Sequence, residues 1–521
     1  MQVGAAESSC TAITRDGASP TRAWQASEEG VIACGFLVLF GALLAWVTLN
    51  HEMYVDEAQA WLIARDSRGL LEMFRHLRYE GHPAVWYLLI YLPSHFSTNM
   101  LWMQAINYVF SLVMAWLILS QRTIPLPFRV LLIFSVSVFF YMGVVARSYM
   151  LAGMLLVASA RCLLARRPRN WLAMVLLGIA VNSHFYAIPV AAGIFIWLYW
   201  LAPCDSLRGA IQKLQQKTFW IAILVLSVSL ILCYFTLRPA PDVYTPQYQT
   251  SGVSRLGYLL MGIGNVWHHF VLYPNGLLSS QLLELLSPRK QPSFFAVSLT
   301  IALWLTAVYA LPNRRSRYFM LAVSLLWMVT IWTTVHIPSA FHVCFLFVAY
   351  VIALMMEAPQ QKDERWVASS YARPVLFTFL GMQALISLVW CLAEIRAPFS
   401  GGKATAMWVK NAGLGACPLI IQPDISGPAI LAQAALKSAY YPACHCRGSF
   451  IAFRQGRDVY RRVEMEELQT IQRECRTRPV VISEWKLAQE ETRRLGLQLK
   501  FKSPSGWFWR DEDVFVYEGV D

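Results

Sequence analysis

Two acidic residues, Asp56 and Glu57, stand side by side just after the first long apolar run, Val31–Asn50, in the stretch His51-Glu52-Met53-Tyr54-Val55-Asp56-Glu57-Ala58-Gln59. A carboxylate fixed at the water edge of an apolar segment can take the proton of an attacking hydroxyl. The same residues also fit a plain helix start, with Asp56 as N-cap and Gln59, three positions on, completing a capping-box pattern. Capping does not exclude chemistry, because it holds a carboxylate rigidly. Asp56 is the better base of the two, since it opens the helix and faces the loop side.

Further groups recur in the same kind of place. Gly81-His82-Pro83 is a common turn by itself, but here its proline opens an aromatic, apolar helix. Arg147, in Ala146-Arg147-Ser148-Tyr149, sits between two apolar runs. It either snorkels or grips a phosphate through its planar fork. Ser183-His184-Phe185-Tyr186 repeats that placement one hairpin later. A lone histidine there is often structural, and the case for His184 is its phase with Arg147. Tyr149 and Tyr186 accompany these two, and His336 and His342 are weaker candidates. Cys444-His445-Cys446 has the wrong spacing for a zinc knuckle. Disulfides among Cys417, Cys444, Cys446 and Cys475 fit an oxidising exterior, with three pairings open. No cofactor or metal site is expected, although a divalent metal is not excluded.

The elements that position these groups follow from composition. The chain has 521 residues, 57% hydrophobic and 14% charged, against about 25% charged in ordinary soluble proteins. Apolar runs of membrane-span length recur. Basic clusters separate them: Arg122 and Arg129; Arg161, Arg166, Arg167 and Arg169; Arg208, Lys213 and Lys217; Arg314, Arg315 and Arg317; Lys362, Arg365 and Arg373. Placing every cluster in the cytoplasm gives spans at about 31–50, 100–121, 128–146, 149–164, 170–183, 185–200, 218–237, 293–311, 318–336, 339–357 and 374–393. The expected fold is therefore an α-helical polytopic membrane protein of about eleven transmembrane helices. Residues 84–98 are apolar but short, and a full crossing there would invert every later cluster, so they are expected to form a half-inserted or interfacial helix. The net charge of +13 is explained by cytoplasmic loops, and no nucleic-acid motif accompanies it, so the partner is a lipid bilayer and not nucleic acid.

Residues 1–30 read as a cytoplasmic tail, 31–395 as the transmembrane domain with outer loops 51–99 and 238–291, and 396–521 as a small extracytoplasmic α/β domain. Strand-like runs in the latter are Pro418–Gln422, Pro479–Ser483 and Val514–Tyr517, with helices at Pro428–Ser438 and Met465–Arg473 between them. In this topology Asp56, Glu57, His82, Arg147, His184 and His336 all fall at the outer membrane boundary. The loop bearing Arg238, Asp242, Tyr244, Tyr248, His268, His269 and Tyr273 falls there too. Ionisable groups at a membrane edge are costly unless they face a cavity.

Asp56-Glu57-Ala58 after the first span, Gly81-His82-Pro83 before an aromatic helix, Arg147-Ser148-Tyr149 and His184-Phe185-Tyr186, in this order, resemble the GT-C superfamily of polyprenyl-phosphate-sugar-dependent glycosyltransferases. The likeness covers about residues 31–395 and is nearest to bacterial relatives of protein O-mannosyltransferases, lipid A aminoarabinose transferases and rhizobial core galacturonosyltransferases. Tyr440-Tyr441-Pro442 looks like part of their outer C-terminal domain, whereas Ala84 departs from the double proline common in the mannosyltransferases. The resemblance implies a multi-pass protein of the bacterial inner membrane, a hexosyl- or pentosyltransferase with a polyprenyl-phosphate sugar donor and an extracytoplasmic acceptor. Transfer would proceed with inversion. It implies Asp56 as base, Glu57 as the second acidic residue, Arg147 as a phosphate contact with His184, and His82 nearby. A transporter or flippase for a lipid-linked saccharide is the alternative, although neither inverted repeats nor broken midplane helices are evident.

Overall fold

The computed structural model describes residues 20–201, 207–243, 256–257, 259–260, 294–311, 313–334, 340–356, 372–414, 419–475, 478–508 and 513–520. In lipid, backbone polar groups are satisfied by closing them into helices, and each of the eleven segments expected to span falls on a helix. Among the described residues, six helices are long and apolar enough to cross a membrane: Glu28–Asn50, Leu101–Leu119, Leu126–Val144, Lys217–Leu237, Arg314–Thr334 and Ala372–Arg396. Shorter apolar helices are Ser148–Leu164, Asn170–Ser183, Ala187–Leu201 and Phe341–Met355.

The first eight α-helices are α1 (Pro20–Asn50), α2 (Val55–Asp66), α3 (Leu70–Glu80), α4 (Val85–Phe96), α5 (Leu101–Leu119), α6 (Leu126–Ile133), α7 (Ser148–Leu164) and α8 (Asn170–Ser183). Helix α3 buries Met73 and Leu77 and stops at Gly81, whose φ of +74° is the left-handed conformation glycine adopts freely. Helix α4, on the short apolar stretch 84–98, has 12 residues, or about 18 Å of helix, against about 30 Å of hydrocarbon. Its length suits partial insertion.

Two expected spans are not uninterrupted α-helices. After α6 the backbone is extended at Ser135, and Val136–Val144 continues as a π-helix. Likewise Ala187–Gly193 passes into a π-helical Ile194–Leu201. Hydropathy reports composition and not hydrogen-bond register, so it misses such wide turns. The carbonyls released at the end of the first are taken up by α5. Asn107 Nδ2 donates to Met142 O at 2.9 Å, Gly143 O at 2.8 Å and Val145 O at 3.3 Å. The chain then turns through Val145-Ala146-Arg147 into α7.

The C-terminal region forms a six-stranded sheet of order β3-β2-β1-β4-β6-β5, with β1 Leu419–Gln422, β2 Ala439–Tyr441, β3 Cys446–Gly448, β4 Val480–Ser483, β5 Leu497–Lys502 and β6 Phe515–Gly519. The expected strands are the central ones, β1, β4 and β6. Strand β1 is parallel to β2 and β4, whereas β3, β6 and β5 join antiparallel. Strands β2 and β3 have three residues each, too few to show an alternating pattern. Side chains alternate across the sheet. Leu419, Ile421, Val480, Ile482 and Val516 join the core that continues into the helical body. Ile420, Val481, Phe515 and Tyr517 form a second core with Leu468 and Ile471 of the helix Met465–Cys475. Cys444 pairs with Cys446, one of the pairings left open, while Cys417 lies outside the described residues.

Helix α2 packs between α4 and the helix Gly427–Ala434, and Glu57 to Ala64 are buried. Gln59 does not close a capping box with Asp56. Its side-chain amide pairs with the backbone of Ile451, donating to the carbonyl at 2.8 Å and accepting from the N–H at 2.9 Å. Gln433 donates to Met53 O at 2.9 Å. Glu52 accepts from Ser400 N at 3.1 Å, Ser400 Oγ at 2.9 Å and Lys403 N at 2.6 Å. The sheet domain is therefore bonded directly to the segment that carries the acidic pair.

Candidate functional site

The two adjacent carboxylates have different surroundings. The N-cap of α2 is Tyr54, so Asp56 lies inside the first turn and not at the cap. Asp56 is exposed, and Tyr54 Oη donates to its Oδ2 at 3.1 Å. Glu57 is fully buried and accepts three bonds: from His51 Nε2 at 3.0 Å, Tyr54 N at 3.2 Å and Ala146 N at 2.7 Å. Glu57 thus spends its oxygens inside the protein and positions backbone, whereas Asp56 is the carboxylate that a substrate can meet.

Arg147, at the N-cap of α7, is 2% exposed. Its Nη1 donates to the carbonyl of Asp56, and its Nη2 donates to His82 Nε2 at 3.1 Å. Because that nitrogen of His82 accepts, its Nδ1 carries the hydrogen, which it donates to Glu80 O at 3.1 Å. The Arg147 guanidinium also interacts electrostatically with the Tyr149 phenol. Burial alone would lower the pKa of Arg147, but the acidic groups around it, Tyr87, Asp56, Tyr149 and Glu80, push it higher, so it stays cationic. Its Nε is buried without a hydrogen-bond partner among the described residues.

His184 closes the cluster. Its ring centroid lies 4.7 Å from Tyr149, 5.6 Å from His342 and 5.9 Å from His82. Nδ1 accepts from Tyr186 N at 3.1 Å, which places the proton of the neutral ring on Nε2. That Nε2 is buried with no partner among the described residues. Burial, followed by the charges of His342, His82 and Arg147, holds the His184 pKa well below the usual histidine value. It is therefore a neutral donor at physiological pH. Tyr186 stacks against Trp327 and contacts His342.

The structure thus brings together Asp56, His82, Arg147, His184, Tyr149 and Tyr186, from turns far apart in sequence. His336, Tyr244, Tyr248, His268, His269 and Tyr273 lie outside the described residues. Asp242 is described and accepts from Tyr79 Oη at 2.7 Å. Two members were undervalued or missed. His342 packs on Tyr186 and His184, although its sequence context is an unremarkable apolar helix. Glu80, one residue before the Gly-His-Pro turn, accepts from Gln59 Nε2 at 3.1 Å and Tyr87 Oη at 3.3 Å. Burial raises its pKa to about 7, against the opposing pull of Arg147. Its position at the end of α3, beside a turn already singled out, was the available signal. Among the described residues no group of three or more His, Cys, Asp or Glu is arranged to hold a metal ion.

No family model matches the sequence, and no curated protein matches it significantly. Among solved structures, ArnT from Cupriavidus metallidurans, bound to undecaprenyl phosphate, is similar over 93% of this chain and 98% of its own, with a TM-score of 0.51 and 11% identity. The two chains share a fold. Within it, the exposed carboxylate belongs to the segment after the first span, and the cationic cluster belongs to the turns before α7 and after α8.

Proposed function

We propose that this protein is an integral membrane glycosyltransferase that moves a sugar from a polyprenyl-phosphate-linked donor to an acceptor hydroxyl outside the bacterial inner membrane, with inversion. One observation carries the reading: the exposed Asp56 carboxylate adjoins a buried cationic cluster in which Arg147 Nε and His184 Nε2 have no partner among the described residues. Buried donors left in this way are costly, and a phosphate oxygen would satisfy them. The undecaprenyl phosphate on the structural neighbour supports that donor class.

In this reading Asp56 accepts the acceptor proton as the hydroxyl oxygen attacks the anomeric carbon. The bond from that carbon to the phosphate oxygen breaks on the opposite face. The phosphodiester leaves as a monoester carrying one more negative charge, which Arg147 and the Nε2–H of His184 stabilise in a low-dielectric site. The phosphate leaves readily, so one carboxylate suffices, unlike the pair that a glycoside hydrolase typically needs. His82 orients Arg147, and Tyr149 and Tyr186 wall the site. The transferred group is a hexose or pentose, the acceptor is a lipid, glycan or protein, and the C-terminal domain lies on the acceptor side.

The test is transfer from an undecaprenyl-phosphate sugar by the purified protein in vesicles, with Asp56→Asn beside wild type. Transfer should fall by about 10²–10⁴-fold with expression unchanged. Near wild-type transfer in this variant would exclude Asp56 as the base. A cysteine placed at position 56 should react with an impermeant maleimide from outside cells, and labelling from the cytoplasmic side alone would overturn the topology.

A further inference from the structure

Behind the exposed face of α2 lies a second set of ionisable groups that the proposed chemistry does not use. His51 donates through Nε2 to Glu57 Oε2 at 3.0 Å and through Nδ1 to Glu394 Oε1 at 3.0 Å, and all three side chains are fully buried. Both ring nitrogens face carboxylate oxygens, so both carry hydrogen and the ring is a cation between two anions. Burial opposes that charge, but the two carboxylates outweigh it and raise the pKa to about 10.

The bonds continue in both directions. Glu57 holds the N–H of Ala146, the residue before Arg147, and the N–H of Tyr54, the N-cap of the helix bearing Asp56. Glu394 Oε1 also accepts from Glu52 N at 3.3 Å, while its Oε2 accepts from the indole N–H of Trp507 at 2.9 Å. Trp507 lies between β5 and β6 of the sheet domain. This segment is closely seated: Trp507 N donates to Pro398 O at 2.9 Å, and Phe508 stacks on Phe399 at 4.5 Å. A Cβ added at Gly506 would lie 2.5 Å from Phe399 O, closer than real contacts allow.

We propose that Trp507 is a positioning residue of the catalytic site. Its indole N–H fixes Glu394, and through His51 and Glu57 it sets the two backbone turns that carry Asp56 and Arg147. The C-terminal domain thereby completes the site. This rests on the roles given above to Asp56 and Arg147. Without the indole N–H, a buried carboxylate oxygen loses its hydrogen-bond donor. The carboxylate then shifts, and the imidazolium and Glu57 shift with it. The ring of Trp507 also packs on Trp390 at 5.6 Å and Phe399 at 5.8 Å, so a purely packing role is the rival.

Trp507→Phe tests the two, because it removes the donor while keeping a smaller aromatic ring, and amide exchange then reads the positional link directly. In the full-length protein it should lower kcat about tenfold or more, since small misplacements of catalytic groups are expensive, with donor KM nearly unchanged. Amide exchange at Tyr54 and Ala146 should quicken in the same variant. Gly506→Ala should give the same pattern by unseating the loop. If Trp507→Phe matches wild type in both turnover and exchange, or slows turnover without altering exchange, the proposal is overturned. If wild type transfers no sugar from any polyprenyl-phosphate donor yet the variant still quickens exchange at both amides, the transferase reading fails while the positional link stands.

Discussion

Two clusters of ionisable groups meet at the first turn of α2, and they differ in one respect. In the cluster of His51, Glu57 and Glu394 the buried charges oppose one another, and each is bonded on both sides. In the cluster of Arg147, His82 and His184, two buried nitrogens point at nothing among the described residues. A closed polar network is a scaffold, whereas an incomplete one is costly unless a ligand finishes it. The adjacent residues Asp56 and Glu57 fall on opposite sides of this division, although either could be a catalytic base by type.

The comparison is broken most directly by exchanging the fates of those two residues. Asp56→Asn should abolish transfer and leave the thermal midpoint close to wild type, because its side chain is exposed. Glu57→Ala should do the reverse first. It strands the His51 cation and two backbone N–H groups, a loss of about 3–5 kcal/mol when a buried pair is broken, read as a large drop in midpoint or failure to express. If Glu57→Ala folds normally and loses only activity, the closed cluster is not a scaffold.

Arg147 is the next test. Its two arms engage different partners, Asp56 O and His82 Nε2, a geometry that lysine cannot reproduce. Arg147→Lys should reduce kcat/KM about a hundredfold. A smaller effect, about tenfold, is expected for His184→Ala, which removes one neutral donor. It should appear in kcat more than in donor KM, because the charge that donor meets grows in the transition state. An unchanged kcat for His184→Ala would move the phosphate away from this side of the cluster.

The parts of this arrangement legible in sequence are those tied to composition and punctuation. Apolar runs separated by basic clusters marked eleven spans, and each of them falls on a helix among the described residues. Asp56, His82, Arg147 and His184 were legible because each sits in a short polar interruption of an apolar stretch. Helix α2 was misread at its cap, because Tyr54 is not a capping residue type and the bond to its N–H comes from Glu57. The π-helical turns were invisible for a related reason: they change which carbonyl meets which N–H without changing a residue. Glu394 and Trp507 were missed because their roles depend on contacts with His51 and with each other, hundreds of residues apart or across domains.

Glu80 gives the smallest expected effect and a sharp one. It is enclosed by Gln59 from α2, Tyr87 from α4, and His82, Arg147 and Asp56 from the site, with its side chain only 7% exposed. Burial raises its pKa to about 7, so it changes charge in the working range. Below pH 7 it is neutral and Arg147 is free to meet the donor phosphate. Above pH 7 it becomes an anion beside Arg147 and competes with that phosphate, so donor KM should rise a few-fold between pH 6 and 8. Stability should move the same way: the folded state holds this proton more tightly than the unfolded chain, whose glutamate titrates near about 4.3. Stability is therefore lost as pH rises from there through 7. Glu80→Gln removes the titration, and its donor KM should stay at the low-pH value across the range. A KM that still climbs in this variant would assign the inflection to another group, with His82, the next titratable residue on Arg147, the one to replace.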